Sequence, residues 1–309
     1  MNVSGTRIAL AVAVIAGIYG YRYLTSETST ENTSSEGHKI AFQTSRDGNG
    51  EVYLMNPDGS EKTNVSNHDS LDYHPVGSMD GSMLAWVSNR SGTREVWISD
   101  RDGTNQRQLT NSDGHNIDPS FSPAGSWMTF DSEDEEGNVE IYVIPTEGGS
   151  AENISNNPAT DSHPFWSPVA DEIAFYSNRD NPESDSMDVY VTDGGGFAVR
   201  RLTDSPSDER YPSWSPDGSR IAFSSTISGD AEIYTMNASD GSDWRRLTHS
   251  EGDDLAPAWS PDGEWIAFVS ARLGAFEVFV IKPDGSGEAN LSNHETSDSN
   301  PRWLPNPTK

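Results

Sequence analysis

A short apolar phrase recurs six times along this chain. It reads Ile40-Ala41-Phe42, then Leu84-Ala85-Trp86, Met128-Thr129-Phe130, Ile173-Ala174-Phe175, Ile221-Ala222-Phe223 and Ile266-Ala267-Phe268. The steps between copies are 44, 44, 45, 48 and 45 residues. A chain built from short apolar runs at a fixed period cannot assemble one large core. Each copy must bury its face against the next. A period of about 40–45 residues made of short strands predicts a β-propeller, one blade per repeat.

One repeat shows the local chemistry. Pro257-Ala-Trp259-Ser260-Pro261-Asp262-Gly263 leads into Ile266-Ala-Phe268, and Glu277-Val-Phe-Val-Ile281, Lys282-Pro-Asp-Gly285 and Ala289-Asn-Leu-Ser292 follow. The apolar runs are short and rich in aromatic and β-branched residues. Pro-Asp-Gly or another Gly-containing cluster closes each one, which is strand-and-turn chemistry. Each blade therefore has four strands: A around the Trp, B on the repeated phrase, C on the Glu-Val-Phe phrase and D on the Leu-Ser or Leu-Thr phrase. The predicted class is all-β, a six-bladed propeller of four-stranded antiparallel blades. The second copy departs most, with Gly77 in the Trp position and Met79 in the Pro position, so residues 76–82 are expected to pack loosely. No strand A precedes Ile40, whereas Asn300-Pro301-Arg302-Trp303-Leu304-Pro305 is a surplus strand A. It is expected to pair with the first blade and close the ring, removing exposed sheet edges.

The organisation expected from this pattern is an N-terminal signal or anchor segment at 1–24, a polar linker at 25–37, the propeller at 38–305 and a tail at 306–309. Arg7 precedes an uncharged, mostly apolar run from Ile8 to Tyr21. That run is short against the roughly 17–25 residues a membrane span needs. It fits a signal-peptide core or a marginal anchor, and either predicts an exported propeller. Net charge is −29 and the lysines are Lys39, Lys62, Lys282 and Lys309, which excludes a phosphate-binding footprint and hence a nucleic-acid partner. The acids are spread through every repeat, as expected of a solvated Asp-rich surface of the kind associated with high salt. A cation-binding surface is the competing reading. The chain has no cysteine, so disulfides, thiolate metal sites and a Cys nucleophile are excluded.

The pattern Pro-x-Trp-Ser-Pro-Asp-Gly, Ile-Ala-Phe, Glu-Val-Tyr, Asn-Pro-Asp-Gly, Arg-Leu-Thr resembles the TolB-type propeller repeat, a relative of the WD-type repeats, over residues 39–305. Similar repeats build the propellers of the prolyl-oligopeptidase and dipeptidyl-peptidase families. The resemblance implies a six-bladed ring acting as an extracytoplasmic interaction module. TolB carries an α/β domain before its propeller, where this chain has an apolar segment and a tether. The Gly-x-Ser-x-Gly elbow of the related peptidases is absent from the sequence.

Two sets of positions near the channel mouth are candidates for function. Three residues before each strand-A proline lie Asp72, Asn116, Asp161, Glu209, Asp254 and Asp298. They could form a carboxylate ring that concentrates cations or grips a basic peptide, or they could accept local backbone N–H groups. Immediately before each proline lie His74, Asp118, His163, Tyr211, Ala256 and Asn300. Here the repeat symmetry breaks. Two imidazoles and a carboxylate in consecutive blades, His74, Asp118 and His163, are a known metal constellation, and some propeller lyases hold a metal in the channel through histidines. The plainer expectation is that strand alternation turns these side chains towards neighbouring blades or solvent. Arg46 with Glu51, Arg90 with Glu95, Arg272 with Glu277 and Arg179 with Asp188 read as cross-strand ion pairs. Loops at 133–137 and 180–188 are acidic, and Asp47-Gly-Asn49-Gly-Glu51 faintly echoes a calcium loop. His68 and His294 occupy matching surface loops.

The expected function is a monomeric, non-enzymatic scaffold without a cofactor. It would bind a protein or envelope component and touch a membrane only through its N-terminal segment. The alternative is a metal-dependent lyase or hydrolase using a divalent cation, calcium or a transition metal, at the channel mouth.

Overall fold

The computed structural model describes residues 37–307, apart from 113, 135, 136, 183 and 185. The segment at 1–24 and all but the last residue of the linker lie outside the described residues. So do Glu135, Glu136, Glu183 and Asp185 of the acidic loops. Among the described residues, no helix is long and apolar enough to cross a membrane.

The described residues form six antiparallel four-stranded sheets, each ordered A-B-C-D from the channel outwards. Strand A spans Asp72–Gly77, His115–Phe121, Asp161–Trp166, Glu209–Trp214 and Asp254–Trp259 in the second to sixth blades. In the first blade strand A is the C-terminal Asp298–Leu304, paired with Lys39–Thr44 and placing Trp303 opposite Ile40. The ring closes out of phase, as the surplus strand requires. Each outer strand D has two residues, Thr63–Asn64 in the first blade for example, a short edge that offers little to another sheet.

Because strand side chains alternate between faces, each blade buries one face against each neighbour. Six apolar clusters result, one per blade interface. The seam joins Ile40, Phe42, Met55 and Trp303 of the first blade to Ala258, Trp265, Ala267 and Val280 of the sixth.

A second interaction repeats in all six blades. A buried acid lies within the first three residues of strand C: Glu51, Glu95, Glu140, Asp188, Glu232 or Glu277. It accepts a hydrogen bond from a hydroxyl just after strand D: Ser66, Thr110, Ser155, Thr203, Thr248 or Ser292. The same hydroxyl oxygen accepts the backbone N–H that follows the acid, at 2.8–2.9 Å. A hydroxyl is both donor and acceptor, so one side chain satisfies two buried groups.

The second blade is not loose over residues 76–82. Val76, Gly77 and Ser78 are buried. A Cβ on Gly77 would lie 2.3 Å from Leu304 Cδ1, and one on Gly81 would lie 2.2 Å from the Pro305 carbonyl oxygen. The closing strand occupies the space that a Trp fills elsewhere, so the loss of the Trp and the closure of the ring are one event.

Trp303→Ala is expected to lower unfolding free energy by about 3–5 kcal/mol, and deletion of 298–309 to lower it further. An unchanged denaturation midpoint in both would show that the ring does not depend on its latch. Thr248→Val keeps the shape but leaves Glu232 Oε2 and the Ile233 N–H unmatched, while Arg246 still holds Glu232 Oε1. A loss of about 1–3 kcal/mol is expected, with Thr248→Ser close to wild type, both read from urea midpoints.

Candidate functional site

The residue before each strand-A proline has left-handed backbone: φ is 50° at His74, 51° at Asp118, 57° at His163, 58° at Tyr211, 51° at Ala256 and 50° at Asn300. Proline cannot donate to strand B, and the ladder shifts register beside it in every blade. The resulting bulge breaks the alternation of side chains. His74, Asp118, His163 and Asn300 therefore line the channel instead of a blade interface.

Three of them meet. Asp118 Oδ1 lies 2.5 Å from His74 Nδ1, and Asp118 Oδ2 lies 3.1 Å from His163 Nδ1. The imidazole planes are turned so that neither contact is a well-aligned hydrogen bond. On its far side His163 Nε2 takes a hydrogen bond of 2.9 Å from the Arg302 guanidinium. Arginine can only donate, so His163 Nε2 is the acceptor and its proton belongs on Nδ1, towards Asp118. Tyr176 stacks on His163, and Tyr211 meets it edge-on with centroids 4.9 Å apart.

Burial sets the charges. It opposes ionisation of Asp118, but the two imidazoles outweigh it and hold that carboxyl well below the ordinary range. Burial also pushes His163 down, towards the neutral ring, against the pull of Asp118. Asp131, on strand B of the third blade, is pushed well up by burial and then by Asp118. It accepts from the Ser162 hydroxyl and, at 3.0 Å, from the His163 N–H. The cluster thus sets a carboxyl held down by imidazoles beside one pushed up by burial, next to a buried guanidinium.

Sequence reasoning missed Asp131, Tyr176 and Arg302, although the signal that found His74 was present at their positions. The residue directly after the repeated apolar phrase reads Gln43, Val87, Asp131, Tyr176, Ser224, Val269. The residue after the strand-A proline reads Val76, Ser120, Phe165, Ser213, Ala258, Arg302. Both break symmetry where the cluster forms.

The acidic set is brought together differently. Asp72, Asn116, Asp161, Glu209, Asp254 and Asp298 are all buried, at 0–1% exposure, and present no open ring at the mouth. Their partners are not local backbone N–H groups. Four of them pair with an arginine from the B–C loop, Asp72 with Arg90, Asp161 with Arg179, Asp254 with Arg272 and Asp298 with Arg46, at 2.6–3.0 Å. This corrects the expected hairpin pairs. Arg46, Arg90 and Arg272 do not bind Glu51, Glu95 and Glu277, which are held by the strand-D hydroxyls, and Asp188 pairs with Arg201 at 2.6 Å. Each B–C arginine also lies over two aromatic rings of its own blade, 4.6–5.8 Å from their centroids, a cation–π seat that fixes its direction. Asp134 and Ile227 stand where the third and fifth blades lack that arginine. The third blade has answered by losing the charge, and Asn116 donates to Glu95 at 2.8 Å. The fifth has kept it. Glu209 accepts from Ser205 and Ser225, leaves Oε2 without a partner, and is pushed up by burial.

The loop residues are also spent locally. Asp47 accepts from Tyr53 and Asn64, and Glu51 from Asn49 and Ser66, so the calcium-like spelling encodes hairpin bonds. His68 and His294 bond to Ser70 and Thr296 in their own loops. No group of three or more His, Asp or Glu side chains among the described residues is arranged to hold a metal ion.

Fold and site together define a six-bladed propeller whose channel is crossed by a self-paired polar cluster. The TolB beta propeller domain family matches residues 96–203 and 181–309, and the chain belongs to it. The structure is similar to TolB from Acinetobacter baumannii, with a TM-score of 0.77 and 24% identity over 88% of this chain and 67% of that one. It also resembles oligogalacturonate lyase from Vibrio parahaemolyticus, a lyase also seen in complex with manganese, with a TM-score of 0.60 and 16% identity over 84% of this chain and 75% of that one. In sequence it is 36% identical over 58 residues to the uncharacterized peptidase YuxL of Bacillus subtilis, 19% of this chain and 9% of that relative's length.

Glu209→Gln is expected to stabilise the protein, and the sign follows from the raised carboxyl. The folded state holds its proton more tightly than the unfolded chain. Stability from Glu209 is therefore full below the ordinary glutamate range and is lost as pH rises through the folded value. The gap in urea midpoint between variant and wild type should widen from pH 4 to pH 7.5. A gap independent of pH would contradict the burial argument.

Proposed function

We propose that this chain is a monomeric, exported, non-enzymatic binding propeller that takes up a protein or envelope component at the cell envelope. The observation that carries this reading is that the titratable groups of the channel are spent on one another. Asp118 lies against two imidazoles, His163 Nε2 accepts from Arg302, and Asp131 is held by Ser162 and the His163 backbone. A general base or nucleophile needs a free lone pair beside open space, and the space at this cluster is only about 10 Å³. The TolB-type likeness and the apolar run from Ile8 to Tyr21 support export. The binding face is the mouth framed by the B–C loops at 46–50, 132–138 and 179–187. Glu133, Asp134 and Asp180 favour a partner segment that carries basic groups.

A metal-dependent lyase or hydrolase built on His74, Asp118 and His163 is the second reading, favoured by the meeting of these three residues and by the lyase likeness. The donor set fits poorly. A cation at His163 Nε2 would have to displace Arg302, and the guanidinium charge opposes it. Elemental analysis of purified protein is expected to find no stoichiometric transition metal. Metal bound one to one and lost in His74→Ala would install the second reading. For the first, cross-linking capture from native envelopes is expected to fall about tenfold with Glu133→Lys and Asp134→Lys together. Capture of the same partners at the same yield would remove the loop face from the account.

A further inference from the structure

The channel has a second chamber, towards the A–B turns and away from the loop face. It is a cavity of about 270 Å³ with walls that include Trp214, Trp259, Trp303, Met79, Pro216 and Pro261. These residues are the strand-A tryptophans and the Ser-Pro turns, so the repeat itself builds an apolar funnel. Its floor breaks the repeat. The residue after the strand-A proline is Val, Ser, Phe, Ser or Ala in five blades and Arg302 in the closing strand, and Arg302 borders both chambers.

Arg302 is buried at 9% exposure. Its bonds are to its neighbour Pro301, whose carbonyl accepts at 3.0 Å, and to His163 Nε2. It also lies 5.4 Å over the Phe165 ring. A guanidinium offers five donors, so most of its capacity is not spent on these two acceptors. Among the described residues no carboxylate oxygen lies within 4.0 Å of it. Burial pushes the group down to about 10, with Asp118 pulling the other way. A buried cation at the floor and apolar walls of tryptophan and proline are complementary to an anionic head on an apolar body.

We propose that this funnel binds a monocarboxylate with an apolar, aromatic-sized body, its carboxylate on Arg302 and its body between the tryptophans. The planar fork of arginine suits a carboxylate. A net charge of −29 disfavours multiply charged anions, and the walls offer little to a hydrated phosphate. The carboxylate can come from a small organic acid or from the C-terminus of a chain ending in an apolar residue. The site is independent of the partner assigned to the loop face, so either can fail without the other.

The test uses four probes: indole-3-propionate, its primary amide, and a hexapeptide ending in Phe as free acid and as amide. Tryptophan fluorescence and calorimetry read the binding. At least one acid is expected to bind saturably, with its amide weaker by about tenfold or more. Binding of the small acid alone assigns a small-molecule site, and binding of the peptide acid alone assigns a chain terminus. Arg302→Gln should abolish the preference for acid over amide. Met79→Trp, on the wall of the same cavity, should lower the affinity of both forms with the fold intact by circular dichroism. Equal binding of acid and amide, or no saturable binding of either acid, overturns the proposal and leaves Arg302 as the partner of His163.

Discussion

One hydroxyl per blade holds the architecture together. Strand D has only two residues and cannot secure itself by ladder bonds. The Ser or Thr after it reaches back to strand C, accepts a backbone N–H and donates to a buried carboxylate. In four blades that carboxylate also takes a backbone N–H from the chain leaving towards the next blade, at His68, Ser112, Asn157 and His294. Strand C, strand D and the entry to the next strand A are thereby fixed at one point. A polar group removed from water needs a partner, and the hydroxyl supplies one in all six described blades.

This changes the meaning of the acidity. Among the described residues, thirteen acidic side chains are buried. Six belong to the hydroxyl locks, five to the strand-A positions, and Asp118 and Asp131 to the channel. A share of the negative charge is therefore scaffold that happens to be acidic. The turn aspartates are structural too. Asp217 accepts from the Ser215 hydroxyl and the Ser219 N–H, and these bonds hold it below the ordinary range.

The architecture was legible in the spelling of the repeat, because strand length, turn chemistry and period are local properties. Six blades, four strands each and closure through Trp303 all follow from it. The pairing of charges was not legible, because adjacency in sequence favours the wrong partner. Arg90 lies five residues from Glu95, yet its guanidinium is steered across the aromatic pair to Asp72, from the strand next to it. Gly77 spells a defect in the repeat, yet Leu304, more than 200 residues away in sequence, lies against it. The direction of His74, Asp118 and His163 was hidden for another reason. Strand alternation is the default, and only the left-handed backbone before each proline overrides it. That conformation is strained for a residue other than glycine, at about 1–3 kcal/mol. It occurs at Ala256 as well as at His74, so the bulge belongs to the fold, and only the side chain placed on it is free to differ.

Hydrogen exchange of six backbone amides tests the central claim most directly. They are the amides that donate to the lock hydroxyls, those of Val52, Val96, Ile141, Val189, Ile233 and Val278. If the lock secures every blade, these amides exchange only through global opening and share the protection of the innermost strands, despite lying beside the two-residue outer edge. Fast, independent exchange at these amides, with the inner strands still protected, would contradict it.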